Sequence, residues 1–135
     1  MRPLLVASHN RGKAVEIADL VRPHYPSIRF SWEVSLDDIE ETGLTYVQNA
    51  VLKAKNAAKQ LGVVSIADDC GLDIVCLENK PGIYSKRYAK QLGSWQKAMC
   101  DLVEQTKGRN KESYFCCAIA IAWPSGQTLV EQYRL

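Results

Sequence analysis

The sequence predicts an α/β protein built on a mixed, twisted β-sheet flanked by helices. Short apolar runs alternate with amphipathic helical segments along 135 residues, of which 47% are hydrophobic. The segments follow the order β-α-β-α-β-β-α-β-β, which is typical of helices packed on a sheet. The length is that of one ordinary domain, so residues 1–135 are expected to form a single domain.

The first half of the chain predicts two strands and two helices. Residues 3–7 are a short apolar run of strand length. In residues 28–32 apolar side chains alternate with polar ones, which predicts a half-buried second strand. A helical pattern starts at Lys13 and stops before two prolines, which cannot continue a helix. Thr45, with a glutamine three residues later, has the spacing of a capping box. It opens the clearest helix of the chain, for which Gly62 is the natural end.

The second half predicts four strands and one helix. The strands are residues 63–67, 72–77, 114–123 and 128–133. The third of these is almost continuously apolar, so it is expected inside the sheet and covered on both faces. Ser94 is suited to cap the helix. The inward face of that helix is expected to hold Trp95, Met99, Leu102 and Val103.

Composition and charge disfavour several classes of protein. The formal net charge is only +2, so there is no strong basic field to bind nucleic acid or a membrane surface. No apolar run approaches about 18 residues, so a transmembrane helix is not expected, and the N-terminus lacks the layout of a signal peptide. The five cysteines are odd in number and contain no CxxC pair. We therefore expect buried thiols in a cytoplasmic protein, not a disulfide framework or a zinc site.

Two adjacent aspartates, Asp68 and Asp69, follow the predicted strand at residues 63–67. Neighbouring side chains of an extended chain point to opposite sides, so one aspartate can face a cleft while the protein holds the other. Such a pair suits a divalent cation or a general base that activates water. Asp and Gly are also common in a polar turn between two strands, so both interpretations stay open at this point.

Residues 8–13, Ser-His-Asn-Arg-Gly-Lys, join the first strand to the first helix. Backbone N–H groups and a helix N-terminus then meet at one place, which favours a bound anion. Ser8 and Asn10 add hydrogen-bonding groups, and Lys13 adds a positive charge suited to phosphate. A plain strand-to-helix turn with a solvated lysine explains the same residues, and the spacing is not that of a Walker loop.

Further charged side chains have two possible roles each. Glu40 and Glu41 either serve the positive end of the following helix or complete a metal site with Asp69. Lys53 is either a solvated helix lysine or a ligand of a polyphosphate. Lys86, in an aromatic and basic stretch, is either exposed or close to phosphate.

Five motifs, taken together and in this order, resemble those of the inosine/xanthosine triphosphate pyrophosphatase family. They are Ser8-His9-Asn10-Arg11-Gly12-Lys13, Glu40-Glu41-Thr42-Gly43-Leu44-Thr45, Asn49-Ala50-x-x-Lys53-Ala54, Ala67-Asp68-Asp69-Cys70-Gly71-Leu72 and Pro81-Gly82-Ile83-Tyr84-Ser85-x-Arg87-Tyr88. The resemblance runs from residue 4 to about residue 123. Each motif is weak by itself, whereas five in order make a specific signal.

The resemblance implies a two-lobed α/β fold, a homodimer and Mg²⁺-dependent hydrolysis of a purine nucleoside triphosphate. The implied substrates are non-standard nucleotides such as ITP, dITP and XTP, which are cleaved to the monophosphate and pyrophosphate. Asp69 is implied as the catalytic base. The implied metal ligands are Glu40, Glu41 and Asp69. The implied substrate-binding residues are Ser8, His9, Asn10, Arg11, Gly12, Lys13, Lys53, Cys70 and Lys86.

The sequence also departs from the family pattern. Ser8 stands where threonine is frequent, His9 where glycine is frequent, and Cys70 replaces the usual serine with a weaker hydrogen-bond donor. The family is expected to continue past the last strand with motifs that recognise the purine base, and none of these occurs up to Leu135. An enzyme with altered base preference and a non-catalytic nucleotide-binding or oligomerising remnant therefore both remain open. The departure also predicts exposed apolar surface near the last strands, and hence an oligomer.

Overall fold

A mixed sheet of six strands, accompanied by four helices, makes up the computed structural model, which describes residues 2–135. The elements are β1 (Leu4–Val6), α1 (Arg11–Val21), β2 (Ile28–Phe30), α2 (Tyr46–Leu61), β3 (Ser65–Ile74), β4 (Lys80–Gly82), α3 (Ser85–Leu92), α4 (Trp95–Gln105), β5 (Ser113–Ala122) and β6 (Thr128–Arg134). The strand order is β2-β1-β3-β5-β6, and β4 pairs with β3. The predicted fold class is confirmed. Within residues 2–135, no helix is both long and apolar enough to cross a membrane.

The chain divides into two compact units, and the first comprises the residues up to Asp69 together with Ala118–Glu131. Within this unit β1 lies between β2 and β3 and is parallel to both, with Val6 opposite Phe30 and Ile66. Its core is formed by Leu4, Val6, Ala14, Ile17, Ala18 and Ile66. Because β1 and β3 are parallel neighbours, the residues that follow Val6 lie beside those that follow Ile66.

Both predicted ends of α2 are confirmed. Thr45 Oγ1 accepts a hydrogen bond from the backbone N–H of Gln48 at 3.0 Å, which satisfies one of the unpaired donors of the first turn. Gly62 ends the helix in the left-handed conformation with φ of 66°, where a residue with a Cβ atom would be strained. The buried alanines of the helix are Ala50, Ala54, Ala57 and Ala58.

The second unit comprises Cys70–Cys117 and Gln132–Leu135. In it β4 runs antiparallel to the second half of β3, with Gly82 opposite Leu72. The buried Ser85 hydroxyl accepts a hydrogen bond from the Leu72 backbone N–H at 3.0 Å and donates one to the Gly82 carbonyl at 2.6 Å. This hydroxyl therefore fastens the start of α3 to both strands, and α3 packs against α4.

The structure corrects three expectations about local structure. The aspartate pair does not form a turn between two strands, because β3 runs unbroken from Ser65 to Ile74 and pairs with β1 in its first half and β4 in its second. Strand pairing thus overrides the turn preference of Asp and Gly. Trp32 lies in a 3-10 turn after β2, where the Glu33 side chain accepts the Phe30 backbone N–H. Helix α3 occupies a segment for which no helix was predicted.

The inward face of α4 was also assigned wrongly in part. Leu102 is buried as predicted, but Trp95 and Val103 are 57% exposed and Met99 is 42% exposed. The second buried residue of this helix is Ala98, four positions before Leu102. Residues at this spacing lie on one face. The buried face of α4 therefore contains Ala98 and Leu102, and the larger side chains of Trp95, Met99 and Val103 lie beside it and are exposed.

The last two strands agree with the expectations in part. β5 lies between β3 and β6 in the sheet, as its apolar sequence predicts. The expectation that both of its faces are covered is wrong, because buried residues alternate with part-buried ones and Phe115 is 63% exposed. The apolar side chains near the end of the chain are exposed, since Leu129, Tyr133 and Leu135 are 63%, 59% and 87% exposed. The predicted apolar surface is therefore confirmed.

Candidate functional site

The turn between β1 and α1 is fastened by its own side chains. Ser8 is buried, and its hydroxyl accepts a hydrogen bond from the Asn10 backbone N–H at 3.3 Å. Asn10 Oδ1 accepts one from the Lys13 backbone N–H at 3.1 Å and so caps α1. The Ser8 carbonyl accepts a hydrogen bond from the buried Ser31 hydroxyl at 2.7 Å. The turn is thus a fixed strand-to-helix connection with a helix N-terminus at its end, which suits an anion.

Lys13 pairs with the first aspartate of β3. Its Nζ lies 2.9 Å from Asp68 Oδ2, and the Asp68 side chain is 5% exposed. A carboxylate that is removed from water needs such a charged partner. The parallel register of β1 and β3 explains the contact, because it brings the turn after Val6 beside the residues after Ile66. The lysine predicted for phosphate binding is therefore held within the turn by Asp68.

Asp69 lies in the most unusual electrostatic environment of the site. The residue is 6% exposed, and its Oδ2 atom has no hydrogen-bond partner among residues 2–135. Burial, followed by the neighbouring Glu41 carboxylate, raises the pKa of Asp69 from 3.8 to about 7. Lys53 and a hydrogen bond from the Asn49 side chain act in the opposite direction. A buried carboxyl with a pKa near neutrality is suited to exchange protons at physiological pH.

Glu41, not Glu40, is the loop carboxylate that contacts Asp69. The side chains of Glu41 and Asp69 are within hydrogen-bonding reach of each other, and Glu41 Oε1 lies 3.3 Å from Lys53 Nζ. The side chains of Glu41 and Lys53 are 25% and 20% exposed. Glu40 is exposed, and its role as a metal ligand stays a prediction.

Asn49 was missed as a site residue by the sequence reasoning. It is 1% exposed on α2, donates to the Asp69 carboxylate, and accepts the Gly43 backbone N–H through Oδ1 at 2.7 Å. The sequence held one signal, because asparagine is a poor former of helix interiors and yet stands inside the predicted helix. A buried polar residue in that position needs partners.

The remaining residues of the turn contact the segment after β2. His9 Nε2 lies 3.8 Å from Asp38 Oδ1. The Arg11 guanidinium lies 4.8 Å from the ring centroid of Trp32, at a distance typical of a cation–π contact. Gly12 has room for a Cβ atom, so close approach of a neighbouring group does not require glycine there.

Cys70 and Lys86 belong to the second unit. Cys70 forms a disulfide with Cys117, so the expectation of five buried thiols is wrong. Of the other three cysteines Cys116 is buried, whereas Cys100 is exposed. Cys70 therefore presents no free thiol to a substrate in this structure. Lys86 is exposed on α3, and its role stays a prediction.

The carboxylates of the first unit fit a hard divalent cation. The unpartnered Oδ2 of Asp69 is a buried acceptor without a donor among the described residues, and the Glu41 carboxylate lies next to it. Oxygen ligands of this kind are those that Mg²⁺ takes, together with waters and substrate phosphates. The cation would offset the repulsion between the two carboxylates that raises the pKa of Asp69.

Comparison with known proteins places this geometry in a family. The Ham1 family model matches residues 4–134. A dITP/XTP pyrophosphatase of Rhodospirillum centenum is 42% identical over 127 residues, which are 91% of this chain and 63% of that protein. The dITP/XTP pyrophosphatase of Caulobacter vibrioides is 36% identical over 135 residues, 98% of this chain and 69% of that protein. A HAM1 protein from Coxiella burnetii is a structural neighbour with a TM-score of 0.85 and 34% identity, covering 99% of this chain and 71% of its own. The chain thus spans roughly two thirds of the length of these relatives.

Proposed function

Because the chain belongs to the Ham1 family, we propose that it hydrolyses non-standard purine nucleoside triphosphates such as dITP, XTP and ITP. Water attacks the α-phosphorus, the bond to the β-phosphate breaks, and the products are the nucleoside monophosphate and pyrophosphate. The names of the relatives, dITP/XTP pyrophosphatase, support this substrate class. The observation that carries the proposal is the buried Asp69 carboxyl beside Glu41, with one oxygen unpartnered among the described residues.

Asp69 is the proposed general base. In the metal-free protein its pKa is about 7, close to the value at which a base is deprotonated at neutral pH and still accepts a proton readily. Glu41 raises that pKa, and Lys53 keeps it from rising further. In this role Asp69 takes the proton of the attacking water as the bond to phosphorus forms.

The turn at residues 8–13 is the proposed phosphate site. The N-terminus of α1 supplies oriented N–H groups and a partial positive charge. Lys13 lies at this end of the helix and is part-exposed, with 37% of its side chain accessible. It is thus expected to contact an anionic phosphate while Asp68 holds its position.

Glu41 and Asp69, with Glu40 as a further candidate, would hold a Mg²⁺ ion. When bound, the ion offsets charge on the phosphates and lowers the pKa of a bound water. Lys53 pairs with Glu41 and would keep that carboxylate oriented towards the site.

We further propose a cytoplasmic homodimer. Two apolar side chains of β6, Leu129 and Tyr133, are 63% and 59% exposed, which supports an interface on this strand, since exposed apolar surface and strand edges commonly mark one. Light scattering at micromolar concentration tests the assembly, and a monomer there contradicts it.

The activity is tested by measuring pyrophosphate release from dITP, XTP, ITP and dGTP in the presence of Mg²⁺. The variants are Asp69→Asn and, as matched control, Asp19→Asn, which changes an exposed aspartate on α1. We expect Asp69→Asn to lose at least about 100-fold in rate, as loss of a general base does, and the control to keep the wild-type rate. No pyrophosphate from any triphosphate overturns the proposal and favours the non-catalytic remnant. Release of inorganic phosphate alone contradicts cleavage at the α-phosphorus.

A further inference from the structure

The side chain of Asn49 connects two parts of the first unit that are distant in sequence. Asn49 is 1% exposed on α2. Its Oδ1 accepts the backbone N–H of Gly43 at 2.7 Å, and its amide donates to the Asp69 carboxylate. One side chain therefore links the loop that carries Glu41 to the strand that carries Asp69.

The approach of the loop to Asn49 is unusually close. A Cβ atom on Gly43 would lie 2.6 Å from Asn49 Oδ1 and 2.8 Å from the Cβ of Gln48. Both distances are shorter than van der Waals contact, so the loop adopts this path only with glycine at position 43. The hydrogen bond from Gly43 to Asn49 therefore depends on the absence of a side chain at position 43.

The planar amide of Asn49 supplies both contacts at this position. Its carbonyl oxygen accepts from Gly43 and its NH₂ group donates to Asp69, and the two groups point in different directions from one planar amide. An aspartate keeps the acceptor but places a third carboxylate near Asp69 and Glu41. An alanine removes both partners and leaves the part-buried N–H of Gly43 without its acceptor.

We infer that Asn49 is a positioning residue that fixes Asp69 and the Glu41 loop relative to each other for metal binding and turnover. The inference rests on the proposed function, because it concerns the same two carboxylates. Asn49 is not one of the proposed metal ligands or phosphate-binding residues, and its proposed action is through Asp69 and the Glu41 loop. Groups that orient metal ligands in this way typically change metal affinity or activity by about 10–100-fold when they are removed.

A purely structural role would give the same burial, so the test needs a matched control on the same helix and loop. Gln48 provides it, because its Oε1 accepts the Leu44 backbone N–H at 2.7 Å but faces the exposed side. Gln48→Ala removes one loop-to-helix hydrogen bond without touching Asp69. Asn49→Ala removes the Gly43 bond and the Asp69 bond together. Asn49→Asp keeps the acceptor for Gly43 but replaces the donor to Asp69 by a further carboxylate.

Two measurements distinguish positioning from support of the fold. The first is the increase in melting temperature on adding MgCl₂ without nucleotide. The second is kcat and KM for dITP. We expect Gln48→Ala to keep the wild-type response to Mg²⁺ and its kcat. Both Asn49 variants are expected to lose most of the Mg²⁺ response and about 10–100-fold in kcat, with KM changed less than about threefold.

Hydrogen exchange at the Gly43 amide separates the two contacts. Asn49→Asp is expected to keep this amide protected, since a carboxylate still accepts from it, and yet to lose kcat. A wild-type Mg²⁺ response and kcat in Asn49→Asp overturn the inference, and this variant decides the matter if Asn49→Ala does not fold. If the wild-type protein cleaves no triphosphate, the proposed function fails, whereas the Mg²⁺ response and the exchange rates still support or overturn the role of Asn49.

Discussion

Replacing Asp69 by asparagine is expected to stabilise the protein at alkaline pH in the absence of metal. The pKa of Asp69 is raised from 3.8 to about 7, chiefly by burial and then by Glu41. The native state therefore binds this proton more tightly than the unfolded chain. As far as Asp69 is concerned, the free energy of unfolding is therefore highest below about pH 4. It falls as the pH rises towards 7 and stays low above that. Asparagine resembles the protonated acid and does not titrate, so the variant lacks this loss.

The size of the effect follows from the shift. A change of about 3 pKa units corresponds to at most about 4 kcal/mol, at about 1.4 kcal/mol per unit. Glu41 is part-exposed, with 25% of its side chain accessible, so water screens part of the repulsion and a value of about 2 kcal/mol is expected. At pH 8 the free energy of unfolding of the variant should exceed that of the wild type by about 2 kcal/mol, and at pH 4 the two values should be nearly equal.

Urea unfolding at several pH values between 4 and 8.5, in buffer with a chelator, measures the difference. Asp19→Asn serves as the control, because Asp19 is exposed. Its free energy of unfolding should change with pH in the same way as that of the wild type. Addition of Mg²⁺ at pH 8 should then stabilise the wild type and not Asp69→Asn. The reasoning is refuted if the free energy of unfolding of Asp69→Asn depends on pH in the same way as that of the wild type. It is also refuted if the variant is less stable than the wild type at pH 8.

Three further changes have defined outcomes. Lys53→Met removes a charge that lowers the pKa of Asp69, so the acidic limb of the pH profile of kcat/KM should move to higher pH; a shift to lower pH contradicts this. Thr45→Ala should lower the free energy of unfolding by about 1 kcal/mol, as loss of an N-cap does, and an unchanged urea midpoint would show that the cap contributes nothing. Thiol alkylation of the denatured protein should modify three of its five cysteines before reduction and all five after it, whereas five before reduction would exclude the Cys70–Cys117 disulfide.

Residues that cap a helix act within a few positions along the chain, and they predicted the ends of α2 correctly. The cap at Thr45 and the left-handed glycine at Gly62 fix the bounds of α2 without help from the rest of the chain. β3 is different, because its passage through Asp68 and Asp69 depends on pairing with β1 and β4. Strand partners distant in sequence are invisible to a local pattern, and the pair therefore resembled a turn.

The candidate site was likewise predictable from the sequence only in part. The carboxylates and lysines were identifiable because each stands in a recognisable motif. Their pairing was not, because it depends on the register of β1 with β3 and on the path of the loop past Asn49. The choice of Glu41 over Glu40 as the neighbour of Asp69 is a property of that path, and no residue pattern distinguishes two adjacent glutamates.

The charges of the site form two pairs and leave one carboxylate over. Lys13 pairs with Asp68, and Lys53 pairs with Glu41. Asp69 then adds a negative charge that is buried and lacks a lysine of its own. A buried carboxylate in this position is neutralised either by a proton or by a cation, which is the reason for its raised pKa. From the burial of this excess charge we therefore expect the site to hold a proton without metal. We also expect that it would bind Mg²⁺ and would accept a phosphate chain more readily once a cation has reversed the balance of charge.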